Sequence, residues 1–343
     1  MPRVAIIGTG LIGASIGLAM RQRSQIKDLE IVGYDREAAN GKRAQKIGAI
    51  DSAARSPREA VRDASMVVMA TPVLTLRKIM AEIAPALDEG AVITDTGSTK
   101  TDVMAWAAQE LPDTVSFVGG HPMAGKTESG PEHASVDLFD GARWAIVPAR
   151  DASEGALKTI RAMAETAGAK EIFMDAEEHD AYVAAISHLP MMAATAMFNM
   201  THESEAWPEM SLLAAGGFKD TTRLTDTDPD MSFDIAVTNR TQIIHWIERY
   251  RESLRELQDR LSDEEGEEEL YRYMAQANWD YAGFRAGVIG REEVDQKNSQ
   301  VPKSDFSSLL MGEAIAGKMR ELTEASEERL KELERTQRLK RGE

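Results

Sequence analysis

The sequence contains no cysteine among its 343 residues. This absence excludes disulfide bonds and thiol chemistry, and it fits a reducing compartment. A signal peptide is not expected either, because residues 1–3 lead at once into an apolar run and leave no room for a charged and then apolar leader. We therefore expect a cytoplasmic protein.

The sequence has fewer positively than negatively charged residues: 40 Lys and Arg against 57 Asp and Glu, which gives a net charge of −17. Such a surface repels phosphate backbones and anionic lipids, so we expect neither nucleic acid nor a membrane as a partner. Residues 181–202 carry no charge and match a membrane span in length. His188, Pro190 and Asn199 within them favour a buried helix of a soluble protein instead.

The first half of the chain alternates between predicted strands and predicted helices. Helical patterns, such as those over 38–47 and 74–86, separate short apolar runs that are typical of strands covered on both faces. The predicted strands are residues 4–8, 30–34, 66–70, 91–95, 115–119, 143–147 and 170–174. This alternation predicts an α/β fold with a doubly wound, mostly parallel sheet.

Beyond residue 174 the patterns are helical only. A second domain that is all helical therefore follows, with the domains predicted at 1–175 and 176–343. A capping carboxylate before a proline, Asp228 and Pro229, marks the start of one long helix. The other predictions are helices at 177–200, 209–215 and 267–288, a linker at 290–303, and a charged helix at 305–338 that faces solvent or a partner.

Three glycines follow the first strand in the pattern G-x-G-x-x-G, which predicts a Rossmann-type dinucleotide site. Their roles are a tight turn, close approach of a pyrophosphate, and close packing of helix on strand; the helix N-terminus then offers free N–H groups to the phosphates. The residues are Gly8, Thr9, Gly10, Leu11, Ile12 and Gly13.

Asp35 ends the second strand, 22 residues after the last of these glycines. A carboxylate there accepts hydrogen bonds from the adenosine ribose and repels a 2′-phosphate, which favours NAD over NADP. Arg36 leaves NADP as an alternative cofactor, since an arginine in this position can pair with the 2′-phosphate. FAD and an unliganded glycine turn are weaker alternatives.

Four segments resemble the prephenate/arogenate dehydrogenase family: TDTGSTK (94–100), GGHPMAGKTESG (119–130), SHLP (187–190) and GGFKDTTR (216–223). The resemblance implies NAD(P)-dependent oxidative decarboxylation of a cyclohexadienol, prephenate or arogenate, in tyrosine biosynthesis. It also implies a homodimer held together by the helical domain. A small-molecule substrate is thus the expected partner, and no metal site is expected.

The chemistry requires a base near neutrality, and histidine, with an ordinary pKa of about 6.5, suits it. Of the six histidines, His121 follows the fifth predicted strand, at the sheet edge where doubly wound folds bind ligands. The resemblance implies that His121 is the base, that Ser98 hydrogen-bonds it and the substrate, and that Thr71 and Pro72 border the nicotinamide. A loop-capping histidine and a helix-capping serine are the structural alternatives.

In the helical domain, Pro190 predicts a kink that frees polar backbone beside Ser187 and His188. By resemblance, these two residues contact substrate. Arg223 grips a substrate carboxylate by resemblance, with support from Lys219. A guanidinium does this through two parallel bonds. The alternatives are a kinked packing helix with His188 satisfied in the core, and Arg223 and Lys219 as plain surface residues.

Two departures from the family pattern affect substrate choice. Met191 stands where several prephenate-preferring members carry histidine, and Glu128 lies one place beyond the usual acid. A 4-amino-4-deoxyprephenate dehydrogenase would share the same motifs. A β-hydroxyacid-type dehydrogenase would need a lysine near the kinked helix, and none occurs between Lys170 and Lys219. A non-catalytic NAD sensor is the remaining alternative.

Overall fold

The computed structural model describes residues 2–126 and 128–287, together with positions 329, 331 and 335. Its contacts separate the chain into two units, Met1–Ile247 and Glu248–Glu343. The predicted linker at 290–303 and most of the predicted helix at 305–338 lie outside the described residues. The domain boundary near residue 175 stays a prediction.

An eight-stranded sheet forms the centre of the first unit. The strands are β1 Arg3–Ile7, β2 Glu30–Tyr34, β3 Ser52–Ala53, β4 Met66–Met69, β5 Val92–Asp95, β6 Ser116–Pro122, β7 Arg143–Pro148 and β8 Lys170–Phe173. They lie in the order β3-β2-β1-β4-β5-β6-β7-β8. Only β7 runs antiparallel to its neighbour, β6, and the other described pairs are parallel. The predicted α/β class is confirmed. The two exposed residues of β3 carry no apolar pattern, so the sequence did not predict this strand.

Helices cover both faces of this sheet. Neighbouring residues of β1 belong to different cores: Val4 and Ile6 pack on one face, Ala5 and Ile7 on the other. This explains why the strands are continuous apolar runs rather than alternating ones. The helices between the strands are α1 Leu11–Arg23, α2 Ala38–Lys46, α3 Pro57–Val61, α4 Val73–Ile83, α5 Thr101–Glu110 and α6 Glu154–Thr166.

Every regular secondary-structure element that the structure describes after β8 is helical. Its helices are α7 Ala176–Val183, α8 Leu189–His202, α9 Trp207–Leu213, α10 Gly216–Thr222, α11 Pro229–Thr238, α12 Arg240–Ser262 and α13 Glu267–Arg285. Asp228 caps α11 as predicted, since its carboxylate accepts from the Met231 N–H at 3.0 Å. The single long helix predicted from Pro229 is wrong: Asn239 leaves the helical conformation, at φ −123° and ψ 27°, and separates α11 from α12.

The distortion predicted at Pro190 takes the form of a π-helical turn, Ala184–His188, between α7 and α8. Pro190 itself lies in the first turn of α8, directly after the π turn, and because it has no N–H it removes one hydrogen bond from the continuous helical stretch Ala176–His202. π turns inside helices occur often at functional sites. The turn buries Ala184 and His188 and leaves Ile186 and Ser187 exposed.

The same helical stretch, Ala176–His202, is long and apolar enough to cross a membrane by length and composition. Core helices of soluble proteins meet the same criterion. Here the stretch carries Asp180, whose carboxylate is hydrogen-bonded to the start of α5. The expectation that the protein has no membrane partner stays a prediction.

Candidate active site

The turn after β1 has the backbone geometry of a dinucleotide site. Gly8 has φ +91°, and a Cβ there would lie 2.2 Å from the Ala70 carbonyl oxygen, so only glycine fits. A Cβ on Gly13 would lie 1.9 Å from the Gly8 oxygen, whereas Gly10 faces open space. α1 begins immediately afterwards with Leu11, Ile12 and Gly13, whose N–H groups have no partner within the helix. Residues 8–13 therefore fit a pyrophosphate.

Asp35, at the end of β2, is tied to this turn. One carboxylate oxygen accepts from the Thr9 N–H at 2.8 Å, and the other accepts from the Glu37 N–H at 2.9 Å. These bonds fix the carboxylate beside the glycine turn, as a ribose-binding group requires. Arg36, next to it, is exposed.

The segment after β4, which the sequence assigns to the nicotinamide, packs against both the glycine turn and the helical region. The Thr71 methyl group lies next to Gly8, and its hydroxyl is 3.0 Å from the Thr75 hydroxyl. Pro72 precedes α4, whose Leu74 N–H donates to the buried Asp234 of α11 at 3.0 Å. α11 thus caps the helix that follows this segment.

A buried ion pair lies between β5 and β6. Lys100 and Asp95 are fully buried and paired with each other. Asp95 also accepts from the Gly97 N–H at 2.8 Å and the Gly120 N–H at 3.1 Å. A charge this deep is stable only when paired, so the two side chains fix the loop after β5 against β6.

His121 lies near the end of β6 and is 8% exposed. Its Nδ1 is 2.9 Å from Nε2 of His179 on α7, and Nδ1 of His179 is 2.8 Å from the Asp180 carboxylate. Asp180 also accepts from the N–H groups of Lys100 and Thr101, both at 2.8 Å, and so caps α5. The predicted base is therefore held by a buried His–His–Asp chain.

A third buried histidine, His188, ends the π turn. Its Nδ1 is 3.1 Å from the Asn239 amide nitrogen, which also donates to the Asp180 carbonyl at 2.8 Å. Its Nε2 is buried and has no hydrogen-bond partner among the described residues. A buried polar atom left unpaired is unfavourable by about 1–3 kcal/mol, which makes this atom a candidate for hydrogen bonding to a ligand.

All three histidines are held neutral at pH 7. Burial lowers the pKa of His121 well below 6.5, and the charges of His179, Lys100 and His188 lower it further. Burial also lowers the pKa of His179, although the hydrogen bond to Asp180 opposes it. Burial lowers the pKa of His188 to about 4. His121 is thus unprotonated at neutral pH and free to accept a proton.

The lowered pKa of His188 predicts a loss of stability in acid. In the unfolded chain His188 binds a proton near pH 6.5, whereas in the folded chain it binds one only near pH 4. The free energy of unfolding is therefore at its full value above pH 6.5 and falls as the pH drops from 6.5 to 4. A shift of this size corresponds to about 3 kcal/mol. Urea unfolding at pH 7 and pH 4.5 should show a loss for the wild type that is about 2–3 kcal/mol larger than for His188→Gln.

His133→Gln is the matched control for that measurement. His133 is exposed, so its variant should lose as much stability on acidification as the wild type does. Equal losses in the wild type and His188→Gln would contradict the prediction.

The two serines predicted in the site are not joined to these histidines. Ser98 lies in the loop before α5, and Lys100 rather than Ser98 is the N-cap of that helix. Asp180 supplies the oxygen that accepts from the first N–H group of α5, so the alternative in which Ser98 caps this helix is wrong. Ser187 is exposed. Both serines stay predicted substrate contacts.

Arg223 and Lys219 lie on the surface of the helical region, on neighbouring turns. Lys219 belongs to α10, and Arg223 begins a 3₁₀ turn, Arg223–Asp226. This turn packs against α8, the helix that begins directly after His188. Both side chains are exposed, and within residues 2–126 and 128–287 no carboxylate pairs with Arg223. Their substrate roles stay predictions.

Sequence reasoning missed the residues that hold the predicted ones in place, namely Asp95, Lys100, His179, Asp180, Asp234 and Asn239. Only the pair His179 and Asp180 carried a local signal, two ionisable residues inside an otherwise apolar helical face. Asp95 and Lys100 pair with each other five residues apart, and Asp234 and Asn239 act through contacts between residues distant in sequence. No group of three His, Cys, Asp or Glu able to hold a metal ion occurs among the residues with a described structure.

Comparison with known proteins matches two family models. "Prephenate dehydrogenase, nucleotide-binding domain" matches residues 16–173, and "Prephenate dehydrogenase, dimerization domain" matches residues 175–276. A prephenate dehydrogenase of Bacillus subtilis is 36% identical over 328 residues, 91% of this chain and 86% of the relative.

Two solved structures are similar over most of the chain. Prephenate dehydrogenase from A. aeolicus, in complex with hydroxyphenyl propionate and NAD+, superposes with a TM-score of 0.74 at 31% identity, covering 81% of this chain and 96% of its own. Synechocystis arogenate dehydrogenase superposes with a TM-score of 0.71 at 27% identity, covering 82% of this chain and 99% of its own.

Proposed function

The chain belongs to the prephenate dehydrogenase family and is an NAD(P)-dependent dehydrogenase, and we propose that it oxidatively decarboxylates prephenate, arogenate or both in tyrosine biosynthesis. The observation that carries this proposal is a buried, neutral histidine, His121, at the carboxyl edge of a sheet whose first turn fits a dinucleotide. Ligands bind at this edge in doubly wound sheets.

The bound cofactor supplies the acceptor for the hydride that leaves the substrate's hydroxyl-bearing ring carbon. His121 takes the proton of that hydroxyl, and Ser98 orients His121 and the hydroxyl by hydrogen-bonding both. Arg223 and Lys219 hold substrate carboxylates, and Ser187 and His188 contact the ring substituents. Loss of the ring carboxylate as carbon dioxide then leaves an aromatic ring, which drives the reaction. The protein contributes orientation and a base that is unprotonated at neutral pH.

We propose NAD as the preferred cofactor. Asp35 is fixed beside the glycine turn, where its charge repels the 2′-phosphate of NADP, and Thr71 and Pro72 border the nicotinamide. Arg36 is exposed one residue further on and is the group that would favour NADP.

The test is a spectrophotometric assay of the purified protein for reduced nicotinamide. Prephenate, arogenate and 4-amino-4-deoxyprephenate are each offered with NAD and with NADP. We expect turnover with prephenate or arogenate, faster with NAD. Turnover with the amino compound alone would assign a related reaction. Cofactor binding without turnover in any combination would favour a non-catalytic sensor and overturn the proposal.

We also propose a homodimer formed through the helical region. Residues 175–276 match a family domain described as a dimerization domain. Several large apolar side chains in this region are exposed, which is unusual for a monomer surface. They include Ile186, Met200, Leu212, Leu213 and Phe233. Sedimentation equilibrium should give twice the mass of 37.7 kDa, and a monomer mass would contradict the proposal. A cytoplasmic location is proposed from the lack of cysteine.

A further inference from the structure

Asp180 connects His121 and His188 through groups whose hydrogen-bonding roles are fixed. Its carboxylate accepts from the backbone N–H groups of Lys100 and Thr101, which can only donate. These bonds and the one from His179 outweigh the effect of burial and lower the pKa of Asp180, which keeps it ionised. Its carbonyl oxygen can only accept. The protonation of the attached rings therefore follows from geometry.

The first branch runs through His179 to His121. An ionised carboxylate requires a proton on Nδ1 of His179, 2.8 Å away. The neutral His179 ring then has no proton on Nε2, so the hydrogen bond of 2.9 Å to His121 must be donated by Nδ1 of His121. A neutral His121 with its proton on Nδ1 has a free lone pair on Nε2. That is the form a general base needs.

The second branch runs through Asn239 to His188 and gives the opposite result. The Asn239 amide nitrogen faces the Asp180 carbonyl at 2.8 Å, which fixes the orientation of the amide. Its other hydrogen points to Nδ1 of His188 at 3.1 Å, so this ring atom must be the acceptor. The neutral His188 ring therefore carries its proton on Nε2, the buried atom that has no partner in the described part of the chain.

We propose that Asp180, acting through His179 and Asn239, is a positioning residue that fixes His121 and His188 in opposite ring tautomers. The site then offers one proton acceptor, Nε2 of His121, and one donor, Nε2 of His188, to oxygen atoms of the substrate. This inference rests on the proposed function, in which a hydroxyl proton must leave while the substrate's oxygens are held. Asp180 is 2% exposed and its carboxylate and carbonyl bond to protein groups, so its contribution passes through the other two side chains.

The experiment changes the relaying residues rather than Asp180, because Asp180 also caps α5. His179→Phe keeps a flat ring but removes the acceptor for Nδ1 of His121. We expect kcat to fall about 10- to 100-fold, the range known for removal of a group that orients a metal-bound histidine, while KM changes little. His179→Gln retains a carbonyl that can accept the same proton, so it should recover part of the lost kcat. Asn239→Leu should lower kcat/KM about tenfold, as expected for one hydrogen bond.

The tautomers are read directly from ¹⁵N spectra of histidine-labelled full-length protein, with signals assigned through His121→Asn and His188→Gln. The wild type should show the proton of His121 on Nδ1 and that of His188 on Nε2. His179→Phe should shift the first signal only, and Asn239→Leu the second only. His133→Phe, at an exposed histidine, should shift neither and should leave kcat unchanged.

A proton on Nε2 of His121 in the wild type, or a His179→Phe variant with unchanged kcat and an unchanged His121 signal, would overturn the inference. The spectra need no substrate. A chain that shows the two tautomers but no turnover would therefore refute the proposed function and leave the positioning role standing.

Discussion

His121→Asn is expected to lower kcat about 10²–10⁴-fold, the usual contribution of a general acid or base. An amide oxygen can accept a hydrogen bond from the substrate hydroxyl but is far too weak a base to take its proton. His121 lies at the end of β6, away from the glycine turn after β1, so binding of the reduced cofactor should remain nearly intact. Stopped-flow kinetics and a fluorescence titration with NADH measure the two quantities separately.

The matched control for this prediction is His133→Asn, which changes an exposed histidine in the same region of the chain and should retain wild-type kcat. Far-UV circular dichroism and thermal unfolding show whether His121→Asn is folded. A folded His121→Asn variant with wild-type kcat would remove His121 from the mechanism.

The acid limb of kcat/KM provides a related check on the same residue. This limb reports groups of the free enzyme. Because burial and neighbouring positive charge lower the pKa of His121, activity should persist to pH values below 6.5 before protonation stops it. An acid limb at pH 7 or above would show that another group controls the reaction.

Most of the sheet was predictable because β1, β2 and β4–β7 are largely buried on both faces and therefore stand out as apolar runs, whereas β3 is exposed and was not predicted. The glycine turn was predictable because positive φ and close approach leave no other residue at Gly8. Asp228 before Pro229 predicted the start of α11, since a cap is a local feature. The apolar runs, the glycine turn and the helix cap each depend on residues close together in the sequence, so each can be read from the sequence alone.

The support of the site was not predictable in the same way. The break at Asn239 has only a weak local cause, since asparagine favours caps and turns but also occurs within helices. It becomes intelligible only when Asn239 is seen between the Asp180 carbonyl and His188, 59 and 51 residues away in sequence. The sequence likewise did not predict that Lys100 is buried, although its partner Asp95 is only five residues away. Buried hydrogen bonds and ion pairs override local preference, and only the folded chain reveals them.

Arg223→Ala is expected to raise KM strongly, with kcat/KM falling by an amount equivalent to about 2–5 kcal/mol, provided that the bound substrate and the surrounding helices exclude water from the charge pair. The size of the effect is informative because the Arg223 side chain is exposed in the structure. An ion pair that stays in water contributes only about 0–1 kcal/mol. A loss in the higher range therefore means that the guanidinium becomes enclosed with the carboxylate.

Arg223→Lys separates charge from geometry, because an ammonium keeps the charge but cannot form the two parallel bonds of a guanidinium. We expect it to recover only part of the loss in Arg223→Ala. Arg150→Ala, which removes another exposed arginine, should leave KM unchanged. If Arg223→Ala changes kcat/KM by less than about 1 kcal/mol, the carboxylate is gripped by a different cation, and Lys219 on the preceding turn is the next to test.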